Sequence, residues 1–315
     1  MKEKILEILR DKDYVSGGEL AKRLGVTRSA IWKHIENLRR QGYIVESRRG
    51  RGYKLVSHPD QPTREEILSR IKTKIIGREY YYFPVLDSTN NYAKKLAENE
   101  ALEGTIVVAE EQKQGRGRKG REWFSPPGGL WFSIILYPGI PPDYSMIITM
   151  GFSVAIVEAI EELLRIKPRI KWPNDLLINN RKVCGILTEI DAELDEIHYL
   201  IVGVGLNVNN KLDDSILDTA TTLRIEYGKP IPRIHLFHKI IEKLDYYYQR
   251  IIDGEYSLIR EKWFKYSDIL GRNIKVSMND KTLSGRVLDV DTKGRIHLET
   301  LDGEIEVISG DIEYI

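Results

Sequence analysis

Residues 115–121 read Gly-Arg-Gly-Arg-Lys-Gly-Arg, four cations and three glycines in seven positions. No regular element is written this way. Glycine weakens helix and strand alike by entropy, and neighbouring cations repel one another unless an anion sits among them. The stretch predicts a loop that is mobile when empty and orders around an anion, so the segments on either side must be separate elements. Taken alone it fits a solvated basic turn or a nucleic-acid loop as well as a cradle for a small anionic ligand.

Charge is unevenly spread. Residues 1–58 hold fourteen Lys/Arg and seven Asp/Glu, a net +7, while the remainder holds 34 and 40, a net −6. A basic block ahead of a mildly acidic body predicts a nucleic-acid-binding module joined to something else. Within the block, Ile5, Leu6, Ile8 and Leu9 share one helical stripe, and a short helix follows over 19–24. Thr27 is placed to cap a third helix to about Arg40, with Ile31, Ile35 and Leu38 inward and Arg28, Ser29, Trp32 and Lys33 outward. Residues 42–55 then read as a β-hairpin with Arg48, Arg49 and Arg51 at its tip. A helix-turn-helix followed by a basic hairpin is a winged-helix pattern. It reads either as a DNA-binding domain, with Thr27, Arg28, Ser29, Lys33 and the three arginines as contacts, or as a protein-interaction module.

A linker composition at 58–62 precedes a capping box at Thr63–Glu66. Strands are expected over 80–86, 104–110 and 129–137, the last two flanking the glycine-arginine loop. Asp87-Ser88-Thr89-Asn90 sits at a strand-to-helix junction, as either a head-group site or a plain cap. A long amphipathic helix is expected over 144–165 and further helices over 232–253 and 255–266. Residues 169–190 read as three short strands that bury Ile170, Trp172, Leu177, Val183 and Ile186. A strand over 197–209 carries Gly203 and Gly205, which mark a close approach or a tight turn. From Gly271 short strands alternate with turns at Asn279-Asp280, 291–294 and Asp302-Gly303, which predicts a small β-barrel. Cys184 is the only cysteine, so no intrachain disulfide is possible and a reducing cytoplasm is expected. No apolar run approaches the ~20 residues of a membrane span, and no secretory leader is expected.

The motifs DSTN (87–90), GRGRKGREW (115–123), KWPND (171–175), KVCGIL (182–187) and GVGLNVN (203–209), in that order, resemble those of the biotin protein ligases. More narrowly, the chain resembles the bifunctional kind that is also the biotin operon repressor. The resemblance spans the whole chain. It implies an α+β multidomain protein: a winged helix-turn-helix over 1–58, a mixed-sheet α/β ligase core over 63–268, and an SH3-like β-barrel over 270–315. It implies ATP and Mg2+ as cofactors, with biotin as substrate. Biotin would be activated as biotinyl-5′-AMP and passed to a lysine of the biotin carboxyl carrier protein. Operator DNA and a homodimer promoted by biotinyl-AMP are the other implied partners.

Residue by residue, the resemblance makes Lys182 and Arg118 catalytic. It gives biotin Ser88, Thr89, Asn90, Gln112, Gly115, Arg116, Gly117 and Gly185, together with Arg118 and Lys182. ATP would be held by Arg116, Arg118, Arg121, Trp123, Asn174, Lys182 and Asn207. Asp175 is the metal candidate; otherwise it is a turn residue. Cys184 reads as core filler. The competing expectations are a ligand-sensing regulator with an inactive ligase fold and a lipoate-type ligase.

Overall fold

Helix α1 (Lys2–Asp11) buries Ile5, Leu6 and Leu9 and leaves Ile8 half-buried. Helix α2 (Gly17–Leu24) starts at Ser16, whose hydroxyl accepts the Glu19 N–H, and stops at Gly25, whose φ of 67° needs no Cβ. Helix α3 (Arg28–Arg40) is capped by Thr27, which accepts the Ala30 N–H at 3.2 Å. Strands β1 (Ile44–Arg48) and β2 (Gly52–Ser57) form the expected antiparallel hairpin. Helix α4 (Arg64–Leu68) follows, capped by Thr63.

The computed structural model describes residues 1–193, 195–278 and 281–315, so the expected Asn279-Asp280 turn lies outside the described residues. The chain divides into units 1–71 and 72–315. That division moves α4 from the catalytic domain, where its position after the linker had put it, into the N-terminal unit. The reason is a buried ion pair: Glu66, 1% exposed, meets Arg10 of α1 at 2.5 Å, and Arg10 also donates to Ser69 at 2.7 Å.

The second unit opens with β3 (Tyr80–Leu86), α5 (Thr89–Ala97), β4 (Ile106–Gln112) and β5 (Leu130–Leu136). Helix α6 (Ser145–Leu164) leads to β6 (Arg169–Lys171), β7 (Asp175–Ile178), β8 (Arg181–Glu193) and β9 (Glu196–Leu206). Helices α7 (Leu223–Tyr227), α8 (Arg233–Ile252) and α9 (Tyr256–Phe264) follow. The seven strands form one mixed sheet in the order β3-β4-β5-β9-β8-β7-β6, with β3 and β4 parallel and every other pair antiparallel. Helix α5 covers one face, where Ala93 and Ala97 meet Val107, Ile135 and Ile201. On the other face the Phe132 ring lies 4.8 Å from Phe237 of α8, and α6 packs against α8 and α9.

Three sequence expectations change here. Helix α6 is not amphipathic: fourteen of its twenty residues are buried, including Thr149 and Ser153, because sheet and helices enclose it. The third strand of the 169–190 segment is thirteen residues long rather than short. Strand β7 alternates in the opposite phase to the one expected, with Leu176 and Ile178 buried and Leu177 half-exposed, and a bulge at Val183 of β8 lets the adjacent Val183 and Cys184 both be buried.

The C-terminal segment is an antiparallel sheet of five strands: β10 (Asn273–Met278), β11 (Lys281–Val290), β12 (Ile296–Thr300), β13 (Gly303–Val307) and β14 (Asp311–Tyr314). Their order is β13-β12-β11-β10-β14. Strand β14 was not anticipated, and it carries a residue of the site.

Candidate active site

The junction after β3 supplies the polar floor. Ser88 caps α5. Thr89 donates to the Gln112 carboxamide oxygen from its backbone N–H at 2.8 Å and from its hydroxyl at 3.1 Å. Gln112 in turn donates to Ser125 at 2.9 Å. Ser133 of β5 sits beneath, 2.7 Å from the Thr89 hydroxyl and 2.6 Å from the Asn90 carboxamide oxygen. The other end of Asn90 donates to Glu189 at 2.6 Å. Every group on this floor is oriented by another, so it presents fixed donors and acceptors to a ligand.

Gly203 and Gly205 let two side chains of the site lie directly against the backbone of β9. A Cβ at Gly203 would collide with the Asn90 carboxamide, and one at Gly205 with the Trp123 indole. Both are close approaches, which decides between the two readings of that glycine pair.

The roof is the glycine-arginine loop. Arg116 donates to the Asn91 side chain at 3.0 Å, and Arg118 donates to Asn174 at 3.4 Å and to the Gly310 carbonyl at 3.1 Å. Asp311 of β14 receives Arg121 at 3.1 Å and Lys119 at 3.3 Å. Burial works to raise the Asp311 carboxyl, but Arg121 and Lys119 outweigh it and hold the group below its usual range. Burial also makes the Arg118 guanidinium easier to deprotonate, opposed by Asp311 and Asp175. The cations thus find an anion within the protein itself, from a strand that lies 190 residues away in sequence.

The wall is β7 and β8. Lys182 pairs with Asp175 at 2.5 Å and lies 5.1 Å from the centre of the Trp123 ring. Its backbone is gripped on both sides: Lys182 N–H donates to Thr219 at 2.8 Å, and Thr221 N–H donates to Lys182 at 2.9 Å. Asn174 donates to the Ile186 carbonyl at 2.5 Å, fixing the turn that carries Asp175. Cys184 is buried, and burial pushes its thiol up, so it is inert filler.

These elements enclose a cavity of about 400 Å³. Of the sequence-assigned residues it brings together Ser88, Thr89, Asn90, Gln112, Arg116 and Gly117. Arg118, Arg121, Trp123, Asn174, Asp175, Lys182 and Gly185 complete that set. Two do not line it. Gly115 makes room for the chain's own Trp123 carbonyl and Ser125 hydroxyl rather than for a ligand. Asn207 is buried, with its carboxamide oxygen taken by Asn210 at 3.1 Å. Sequence reasoning missed Lys171, Thr219, Asp311 and the glycines of β9 as lining groups. It also missed Ser133, although a lone serine within the apolar run of β5 is a readable signal.

In the N-terminal unit, Trp32 is 55% exposed on α3. Arg28 folds back over Gly18. Arg48 pairs with Glu46 at 2.7 Å, and Arg48 and Arg51 both lie over the Tyr14 ring, at 5.4 and 5.3 Å. Thr27 and Ser29 bond each other at 2.9 Å. The wing and helix are therefore pre-organised by their own contacts.

A Bacillus subtilis (strain 168) protein named bifunctional ligase/repressor BirA is 40% identical over 305 residues, covering 96% of this chain and 94% of the relative. The chain belongs to the biotin protein ligase family. The Escherichia coli (strain K12) ligase/repressor of this family is 30% identical over 96% of this chain and 93% of its own length. Residues 82–207 match the biotin/lipoate A/B protein ligase family, residues 2–54 an HTH domain, and residues 269–314 the biotin protein ligase C-terminal domain. A biotin protein ligase from Aquifex aeolicus, solved in complex with biotin and ATP, shares 29% identity with a TM-score of 0.65, covering 76% of this chain and 99% of that one. The N-terminal unit's helix-turn-helix gives the family's ligase/repressor type, and no described helix is long and apolar enough to cross a membrane.

Proposed function

We propose that the chain joins biotin to ATP as biotinyl-5′-AMP, transfers the biotinyl group to a lysine of the biotin carboxyl carrier protein, and represses biotin genes through its winged helix. The convergence of Lys182, Arg116, Arg118 and Arg121 on one cavity beside a neutral polar floor carries this reading. In the first step a carboxylate approaches a phosphate, so two anions must be neutralised at once, and fixed cations in a water-poor site do this without reorganisation. Lys182 is held at the wall by its backbone bonds and serves the charge that develops between carboxylate and α-phosphate. Arg118 screens the same region, and Arg116 and Arg121 serve the remaining phosphate charge. The Ser88–Thr89–Asn90–Gln112 floor suits a neutral ring with N–H and C=O groups, as in biotin. Trp123 offers a face for adenine.

Among the described residues no cluster of three or more metal-ligating side chains exists. The cavity's carboxylates are Glu122, Asp175 and Asp311, of which Asp311 is taken by Lys119 and Arg121; so sparse a donor set would fit Mg2+ arriving on ATP and keeping its waters and phosphate oxygens as ligands, with Asp175 beside it. Such an ion would supply further neutralisation of the phosphates.

Incubation with ATP, Mg2+, biotin and an apo carrier domain should give a biotinyl adduct by mass spectrometry. A lipoyl adduct in its place would overturn the substrate, and no adduct of either kind would favour an inactive sensor. Gly203→Ala should weaken biotin at least tenfold by calorimetry, since its Cβ displaces the Asn90 carboxamide; unchanged affinity would remove that residue from the site.

The repressor reading includes a homodimer favoured by biotinyl-AMP, placing two winged helices on a two-fold operator. Gel shifts on the promoter of the biotin genes should tighten with biotin and ATP. Replacing Lys33 or Arg49 with alanine should each lower the slope of log affinity against log salt by about 1. An unaltered slope would take that side chain off the phosphate backbone.

A further inference from the structure

A second cavity of about 170 Å³ adjoins the first and shares Arg118, Pro173, Asn174 and Ile186 with it. Its remaining walls come from the start of α6 and from the part of β8 beyond its pairing with β7: Ser145, Met146, Thr149, Thr188 and Ile190. Thr149 and Thr188 on its wall bond each other at 2.8 Å, so each hydroxyl has a partner. Ile190 at one end is 44% exposed, whereas Asn174 at the other is 9% exposed. The cavity thus runs from the surface to the reacting region.

We propose that this side cavity is the passage by which the acceptor lysine reaches the biotinyl adenylate. The inference rests on the ligase reading above. The main cavity must stay filled by the adenylate while the amine arrives, so the amine needs a separate way in. The side cavity ends on Arg118 and Asn174, which also line the adenylate cavity. Its walls suit a lysine stem: Met146, Pro173, Ile186 and Ile190 are apolar, and among the described residues Arg118 is the one charged group on it. A passage with those walls and a guanidinium at its inner end disfavours an ammonium and favours the free amine. The free amine is the form that reacts. Its nitrogen bonds to the carbonyl carbon of the mixed anhydride. The bond from that carbon to the phosphate oxygen breaks, and its electron pair leaves on AMP. The nitrogen then releases its surplus proton to water.

Two separate fillings test the passage, Ser145→Phe and Met146→Trp, each checked for an unchanged melting temperature. Adenylate formation, followed by pyrophosphate release from ATP and biotin, should stay within about twofold of the parent chain. Transfer to the apo carrier domain should fall at least tenfold in kcat/KM. Hydroxylamine, a nucleophile much smaller than lysine, should still consume the bound adenylate in both variants. Transfer at the parent rate in either folded variant would overturn the passage. So would a parallel loss of adenylate formation, which would make the cavity part of the first step. A parent chain that forms no adenylate would defeat the ligase reading instead, and that failure is visible before any variant is made.

Discussion

Lys182→Ala loses adenylate formation by about 10²–10³-fold, the usual cost of removing one fixed charge-stabilising group, while the melting temperature stays within a few degrees. The side chain is 31% exposed and among the described residues its ionic partner is Asp175, so little folding energy depends on it. Its backbone bonds to residues 219 and 221 survive the change, which keeps the wall in place. Lys182→Arg is the informative companion: it restores the charge but not the position of a compact ammonium, and should recover part of the rate. Pre-steady-state release of pyrophosphate reads both. A Lys182→Ala rate within threefold of the parent would remove the lysine from the mechanism and leave Arg118 as the principal cation.

The second large effect is on stability. Asp245 of α8 is 4% exposed and accepts backbone N–H groups from Lys74, Ile75 and Ile76 at 2.9, 2.8 and 2.8 Å, with Gln249 adding a fourth donor at 2.7 Å. The segment that leads into β3 therefore has its donors met by one carboxylate 169–171 residues away. Asp245→Ala leaves them unmet, at roughly 1–3 kcal/mol per buried group, or about 3–5 kcal/mol in all given that Lys74 is exposed. At ~2–4 °C per kcal/mol for a unit of this size, the melting temperature of the second unit should fall by about 10 °C. Asp245→Asn keeps one acceptor oxygen and should fall by less. Equal melting temperatures for the parent and the alanine variant would show that water replaces the carboxylate at no cost.

Most of what was legible in the sequence is local. Thr27, Thr63 and Ser88 cap helices because a cap needs only its own next three residues. The limits of β3 follow from a run of apolar residues ended by Asp87. What was not legible depends on distant partners. Asp311 reads as an ordinary polar residue until β14 pairs with β10 and brings it to the loop. Asn207 reads as a ligand contact from its motif, and only the fold shows that Asn210 holds its carboxamide oxygen. The position of α4 turns on Arg10 and Glu66, which are 56 residues apart. The apolar length of α6 was plain, but the number of its faces that are covered depends on α8 and α9, which come later in the chain.

Strand β14 has a practical side. Asp311 and Ile312 line the cavity, and Ile315, just after them, still donates its N–H to the Asn273 carbonyl at 3.1 Å. Any purification tag, fluorescent fusion or surface tether joined next to Ile315 begins within a few residues of the cavity wall. An attachment meant as a neutral handle would then load the strand that holds Arg121 and Lys119. Handles for assay or imaging belong away from this strand when turnover is the readout and next to Ile315 when a deliberate brake on it is wanted.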